Sequence, residues 1–186
     1  KQVILAPIEY ALKNFSVVNK AQYAQARLVL EKKLPGLNSL RFGTEYLYSE
    51  EKTAYTLFNG TVFNESVKDN MVAGFAETDF YITNNIAAKL GIRAEHTAIL
   101  NKWNIAPRAS LAYKFKDNSQ ASFAYGIFYQ NPERKYLPAA NSGLDFARAS
   151  HYILQYQKVS NNRVFRTEIF YKEYNNLFKT STGPTG

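Results

Sequence analysis

Hydrophobic and polar residues alternate along most of the chain. In 104–116, for example, Ile105, Leu111 and Tyr113 alternate with Arg108 and Lys114. Successive side chains of a strand point to opposite faces, so such a run predicts a strand with one apolar and one polar face. The alternation predicts eight strands, at 24–34, 39–49, 71–83, 86–97, 104–115, 119–130, 147–158 and 163–174. Residues 1–20 are ambiguous and are expected to hold an outer loop with part of a preceding strand.

The connections between these strands differ in length. The short ones are 34–38, 84–85, 116–118 and 160–162, and the longer ones are 50–70, 98–103 and 131–146. Tight turns on one side and long loops on the other are typical of transmembrane β-barrels. Strands of eleven to thirteen residues exceed ordinary soluble strands and suit a tilted bilayer crossing. The pattern therefore predicts an all-β fold of antiparallel transmembrane barrel strands linked by hairpins.

Two other architectures fit part of this pattern. A half-buried sheet in a soluble β-sandwich binding module alternates in the same way. The strand lengths and the exposed apolar faces disfavour a sandwich, because such faces aggregate when nothing covers them. A complete small eight-stranded outer-membrane barrel, with a structural or adhesion role, is the closer alternative. Aromatic residues make up 15% of the chain, and 14 of them are tyrosines. Tyrosine combines an apolar ring with a polar hydroxyl, which suits a membrane interface.

Charge and composition narrow the classes of partner. The net charge is +8, but the basic residues are spread along the chain and form no stripe, so nucleic acid is not expected. Contact with outer-membrane lipid and lipopolysaccharide is one use of these charges, and ordinary solvation is the other. The chain has no cysteine, and no apolar run approaches the ~20 residues of a spanning helix.

The sequence holds no catalytic or cofactor-binding motif. His96 and His151 are far apart, and no ligand-spaced motif accompanies them, so no metal site is expected. There is no nucleophile elbow and no phosphate-binding glycine loop, so no enzyme and no cofactor are predicted. Instead, charges of both signs fall on the polar faces: Arg27, Glu31, Arg41, Glu45, Glu77, Asp79, Lys89, Arg93, Glu95, Arg108 and Lys114. A wide barrel accommodates such a ladder, which holds water or an inserted domain.

Several segments resemble one family. Residues 105–113, with Pro107-Arg108 ahead of Leu111 and Tyr113, are followed by the turn 116–118 and by 123–132. This order resembles the later barrel strands of TonB-dependent outer-membrane receptors, in particular those of Bacteroidetes. Residues 40–46 and 169–177 resemble other barrel strands of that family.

The resemblance implies a barrel of about 22 strands closed by a plug domain. Such a receptor lies in the outer membrane of a Gram-negative bacterium and imports a scarce nutrient with energy from TonB. Residues 1–186 would then be a partial β-barrel domain, with the plug of the same polypeptide and the terminal strands absent. Family ligands contact outer loops, so 50–70 and 131–146 are the candidate segments. The predicted ligand contacts are Tyr55, Phe58, Phe63, Arg134 and Tyr136. The substrate is left open.

Overall fold

A single antiparallel sheet makes up the protein. The computed structural model describes residues 2–3, 14–133 and 144–177. The strands follow one another in chain order, each paired with its sequence neighbours. They are β1 Gln2–Val3, β2 Phe15–Lys33, β3 Ser39–Leu57, β4 Val62–Tyr81, β5 Ile86–Thr97, β6 Lys102–Lys114, β7 Ser119–Gln130, β8 Ala147–Ser160 and β9 Arg163–Asn175.

The predicted antiparallel strands are confirmed. Each of the eight predicted runs lies largely in one of the strands β2 to β9, and hairpins link consecutive strands. The alternation succeeded because each strand keeps one face apolar over its central part. In the described part of the chain, no helix is long and apolar enough to cross a membrane.

The predicted long loop at 50–70 is wrong. Strand β3 continues to Leu57 and β4 begins at Val62, so only 58–61 lies between them. Residues 50–70 and the beginning of β2, 15–22, together form a three-stranded extension that we call the blade. Backbone pairing does not require alternation, and the blade carries polar residues on both faces, so the sequence pattern did not reveal its strands.

The two ends of the sheet carry different connections. The turn end holds 34–38, 82–85, 115–118 and 161–162. Asn118 and Asn162 have φ angles of 58° and 60°, the left-handed conformation that asparagine tolerates in tight turns. The loop end holds the blade tip 58–61, the turn 98–101 and the segment 131–146, of which 134–143 lies outside the described residues. The predicted connection at 98–103 is therefore a short turn.

The register gives the sheet a polar face and an apolar face. Every charged residue predicted for the polar faces lies on the polar face. Large side chains project from the apolar face and are exposed: Leu28, Phe42, Tyr46, Val72, Leu90, Ile92, Ile105, Leu111, Tyr113, Phe123, Leu154, Ile169 and Tyr171.

Very little apolar surface is buried. Among the described residues the buried hydrophobic side chains are Ala73, Ala106, Ile127 and Phe146. Ile127 belongs to the apolar face by register but is only 9% exposed, so it is shielded there. A second packed layer is missing from the described part, and the apolar face has no protein partner within it.

Candidate functional site

A chain of ion pairs crosses four strands on the polar face near the turn end. Arg41 of β3 contacts Glu31 of β2 and Glu77 of β4, both at 3.3 Å. Lys89 of β5 contacts Glu77 at 3.2 Å and Asp79 at 3.3 Å. Because opposite charges alternate from strand to strand, each neutralises its neighbours. The network thus links β2 to β5 through side chains as well as through the backbone pairing.

A second cluster surrounds Arg93 closer to the loop end. Its guanidinium contacts Glu45 at 3.0 Å and Glu95 at 3.1 Å. Gln25 donates to Glu45 at 2.5 Å, and Asn104 donates to Glu95 at 3.5 Å. The side chains of Arg93 and Glu45 are only 21% and 13% exposed. Among the ion pairs of the described residues, those of this cluster are the most shielded from solvent.

Two arginines on the same face form no ion pair with a described carboxylate. Arg27 lies over the Phe75 ring at 5.2 Å, and Arg108 lies over the Phe128 ring at 5.0 Å. A groove beside Arg108 runs past Gly91 and Gly126, and the Phe128 ring packs over Gly126, where a Cβ would lie 3.1 Å from it. The groove is lined mostly by apolar and aromatic surface, and its charged residues are of both signs, Arg108 and Lys89 with Glu77.

A hydrogen-bonded node anchors the loop end. Asp69 of β4 accepts bonds from the Thr97 hydroxyl at 2.8 Å and from the backbone N–H of Ile99 at 3.1 Å. The Asn131 amide also donates to Asp69, at 3.3 Å. Thr97 is fully buried. The node therefore fixes the turn 98–101 and the start of the segment 131–146 on the strands below.

The predicted ligand contacts fall in three places. Tyr55 and Phe63 are strand residues, directly paired on the polar side of the blade, so their assignment to a loop is wrong. Phe58 lies in the tip turn and is 51% exposed. Arg134 and Tyr136 lie outside the described residues. The structure thus brings Tyr55 and Phe63 together, and ligand contact by all five residues stays a prediction.

The turn end carries an ion pair outside the polar-face ladder. Asp117 accepts from Lys158 at 2.9 Å and from the Ser119 hydroxyl at 2.5 Å. The Ser119 hydrogen bond and then the Lys158 contact lower the pKa of Asp117 to about 2. Asp117 therefore remains ionised at neutral pH and fastens the β6–β7 turn to β8.

The two histidines make ring contacts. The ring centroids of His96 and Trp103 are 5.1 Å apart, and those of His151 and Phe128 are 4.7 Å apart. Across the described ranges, no group of three or more potential metal ligands occurs.

Sequence reasoning missed the Asp69 node and the aromatic partners of Arg27 and Arg108. Asp69 lay within the predicted loop, and its partners Thr97 and Asn131 are 28 and 62 positions away along the chain. Only the strand register brings these residues together, so the local pattern carried no signal for them.

Comparison with known proteins shows which solved structures share this fold. No family model matches the sequence, and no curated protein matches it. Among solved structures, the siderophore receptor PirA from Pseudomonas aeruginosa matches 84% of this chain, with 13% identity and a TM-score of 0.66. The ferric enterobactin receptor PfeA from the same bacterium, in complex with enterobactin, matches 90% with 17% identity and a TM-score of 0.72.

A third structure agrees with these two. The ferripyoverdine receptor of the Pseudomonas aeruginosa outer membrane matches 92% of this chain, with 14% identity and a TM-score of 0.70. The chain spans 32%, 29% and 28% of the lengths of the three receptors. These likenesses confirm the predicted fold, which is that of part of an outer-membrane receptor barrel.

Proposed function

We propose that this chain forms part of the barrel wall of a TonB-dependent receptor in the outer membrane of a Gram-negative bacterium. The receptor imports a scarce nutrient with TonB-coupled energy, and this chain has a transport rather than a catalytic role. The likeness of the fold to three outer-membrane receptors supports the proposal.

The uncovered apolar face is the observation that carries the proposal. Leu111 and Phe123 are adjacent on it and are 51% and 47% exposed. Water makes such a continuous apolar surface unfavourable, whereas lipid tails accept it. The opposite face carries ion pairs, as the polar interior of a barrel does. This division of the two faces suits a wall between lipid and a polar lumen.

A plug domain of the same polypeptide is the proposed neighbour of the polar face. The guanidinium groups of Arg27 and Arg108, which lie over aromatic rings, leave positive charge available to carboxylates or backbone carbonyls of such a domain. TonB would contact the receptor through the plug region, not through this sheet.

Ferric siderophores are the first substrate class to test. The three similar receptors are described as receptors for siderophores, ferric enterobactin and ferripyoverdine. Tyr55, Phe58 and Phe63 on the blade, together with Arg134 and Tyr136, remain the proposed contacts with the nutrient.

A complete eight-stranded barrel is the weaker alternative. Such a barrel requires its first and last strands to pair. In the described part of the chain, β9 pairs only with β8, and the sheet ends at β1 on the other side. The sheet therefore has two open edges that further strands would have to close.

Uptake by the full-length protein tests the proposal. Cells that depend on this receptor are supplied with a panel of radiolabelled ferric siderophores, with TonB present or deleted. We expect accumulation of at least one compound that requires both the receptor and TonB. Accumulation that ignores TonB, or no dependence on the receptor for any scarce nutrient, would reject the proposal.

A further inference from the structure

On the blade, the side of the sheet that is apolar in the rest of the protein becomes polar, and three lysines form a basic patch there. Along β3, this face carries Phe42, Tyr46 and Tyr48, and then changes to Glu50 and Lys52. Lys20 of β2 lies directly opposite Lys52, and Lys68 of β4 lies directly opposite Glu50. The basic patch, defined as Lys20, Lys52 and Lys68, therefore lies immediately beyond the apolar surface.

The charges of the basic patch are not balanced. Glu50 is the one carboxylate facing it from the three described strands of the blade, and it contacts Lys52 at 3.0 Å. Lys20 forms no ion pair with another described residue. Like charges directly opposite each other on a sheet are unfavourable. The pairing of Lys20 with Lys52 is therefore a position where an anion would relieve repulsion.

A shallow depression at the basic patch offers further hydrogen-bond donors. Lys20 and Lys52 line it together with Asn64 and Ser66, and Val18 and Ala54 add apolar surface. Thr53 and Glu65 also border it, but by register their side chains belong to the opposite face of the sheet. Ammonium, amide and hydroxyl groups all donate to phosphate oxygens. This combination fits a phosphorylated group that is attached to a partly apolar molecule.

The basic patch begins at the height of a lipid headgroup layer and reaches its outer margin. Lys52 lies four residues beyond Tyr48, which is about 9 Å of height for a strand tilted by about 45°. The headgroup region adds about 5–8 Å to each side of the hydrocarbon core. If Tyr48 marks the edge of the hydrocarbon, Lys68, which lies opposite Glu50, is within the headgroup layer, and Lys20 and Lys52 lie at its outer margin.

We propose that the basic patch binds the phosphates of phosphorylated glycolipids in the outer leaflet, with Lys20, Lys52 and Lys68 as the phosphate ligands. This inference rests on the proposed position of the sheet in the outer membrane. Lipid held there would support the blade from its membrane side, whereas Tyr55 and Phe63 face the other side.

Native mass spectrometry of the detergent-solubilised full-length protein tests the inference. The probe is diphosphoryl lipid A, and the comparison is the same lipid with both phosphates removed. A basic residue near an anionic surface contributes about a fivefold gain in affinity. The triple variant Lys20→Gln, Lys52→Gln, Lys68→Gln should therefore bind diphosphoryl lipid A about a hundredfold more weakly.

Two control variants keep the test specific. Lys32→Gln, Lys114→Gln, Lys116→Gln removes the same charge at the turn end and should bind as the unaltered protein does. Replacement of the three patch lysines by arginine keeps the charge and should retain binding. The single variant Lys20→Gln should show a smaller loss, which preserves the test if the triple variant fails to fold.

Three results would overturn the inference. They are undiminished binding by the triple glutamine variant, equal binding of the dephosphorylated lipid, and displacement of lipid A by equimolar inorganic phosphate. The last result would mean a site for free phosphate. Nutrient uptake is measured separately, so failure of the proposed import leaves the lipid result interpretable.

Discussion

At the residue scale, close backbone approach limits one position on the polar face. A Cβ on Gly43 would lie 2.2 Å from the backbone oxygen of Leu28 and 2.9 Å from the Phe75 ring. A Cβ on Gly74, on the neighbouring strand, would have nothing within 4 Å, and neither glycine has a positive φ. The two glycines therefore differ in the space around them, whereas the backbone conformation at both positions is one that other residues adopt.

Gly43→Ala should destabilise the folded protein, and Gly74→Ala should not. The clash at Gly43 involves backbone and requires β2 to move, at a cost of about 1–3 kcal/mol. Denaturant unfolding of both variants in detergent measures the difference. Equal stability of the two variants would contradict the close packing of β2 on β3.

The Asp117–Lys158 pair predicts a pH dependence at the turn end. The pKa of Asp117 is lowered from 3.8 to about 2, so its contribution to stability is present above pH ~4 and is lost as the pH falls towards 2. Asp117→Asn should lower the unfolding midpoint slightly at neutral pH, because the pair is exposed. The difference from the unaltered protein should vanish near pH 2, and a difference that persists there would exclude the pair as its cause.

At the scale of elements, the sequence predicted strands wherever one face is apolar. The strands β5 and β7 were predicted with the bounds that the structure shows, 86–97 and 119–130. The blade was missed because residues such as Glu50, Glu51 and Lys52 follow one another without alternation. Polar-face charges followed from the same alternation, but the Asp69 node depended on register between distant strands.

Removal of 134–143 from the full-length receptor should weaken nutrient uptake while the barrel remains folded. The Asp69 node holds Asn131 and does not include the deleted residues, so the strands should tolerate the deletion. Uptake and surface abundance are measured together. The double variant Arg134→Ala, Tyr136→Ala separates the loss of contacts from the loss of length. Unchanged uptake at normal abundance would remove this segment from the binding site.

At the scale of the whole molecule, the sheet separates an apolar from a polar environment. Leu111→Arg should destabilise the inserted protein by about 2–4 kcal/mol if the position lies near the bilayer midplane. Ser122→Arg is the matched control, because Ser122 lies at the same depth on the polar face, opposite Ala112. Ile127 is a poorer probe because it is shielded. Equal effects of the two arginines would show that the faces do not differ in environment.

The most direct test of the barrel-wall assignment is spin labelling of single cysteines in the full-length protein in native-like membranes, after any other cysteine is replaced. Labels at positions 111, 123 and 154 probe the apolar face, and labels at 112, 122 and 155 probe the polar face at the same depth. We expect the first three to be relaxed by dissolved oxygen and shielded from a water-soluble nickel complex, and the last three to be less accessible to oxygen. Access of the nickel complex to labels at 111, 123 and 154 would contradict the assignment of the apolar face to lipid.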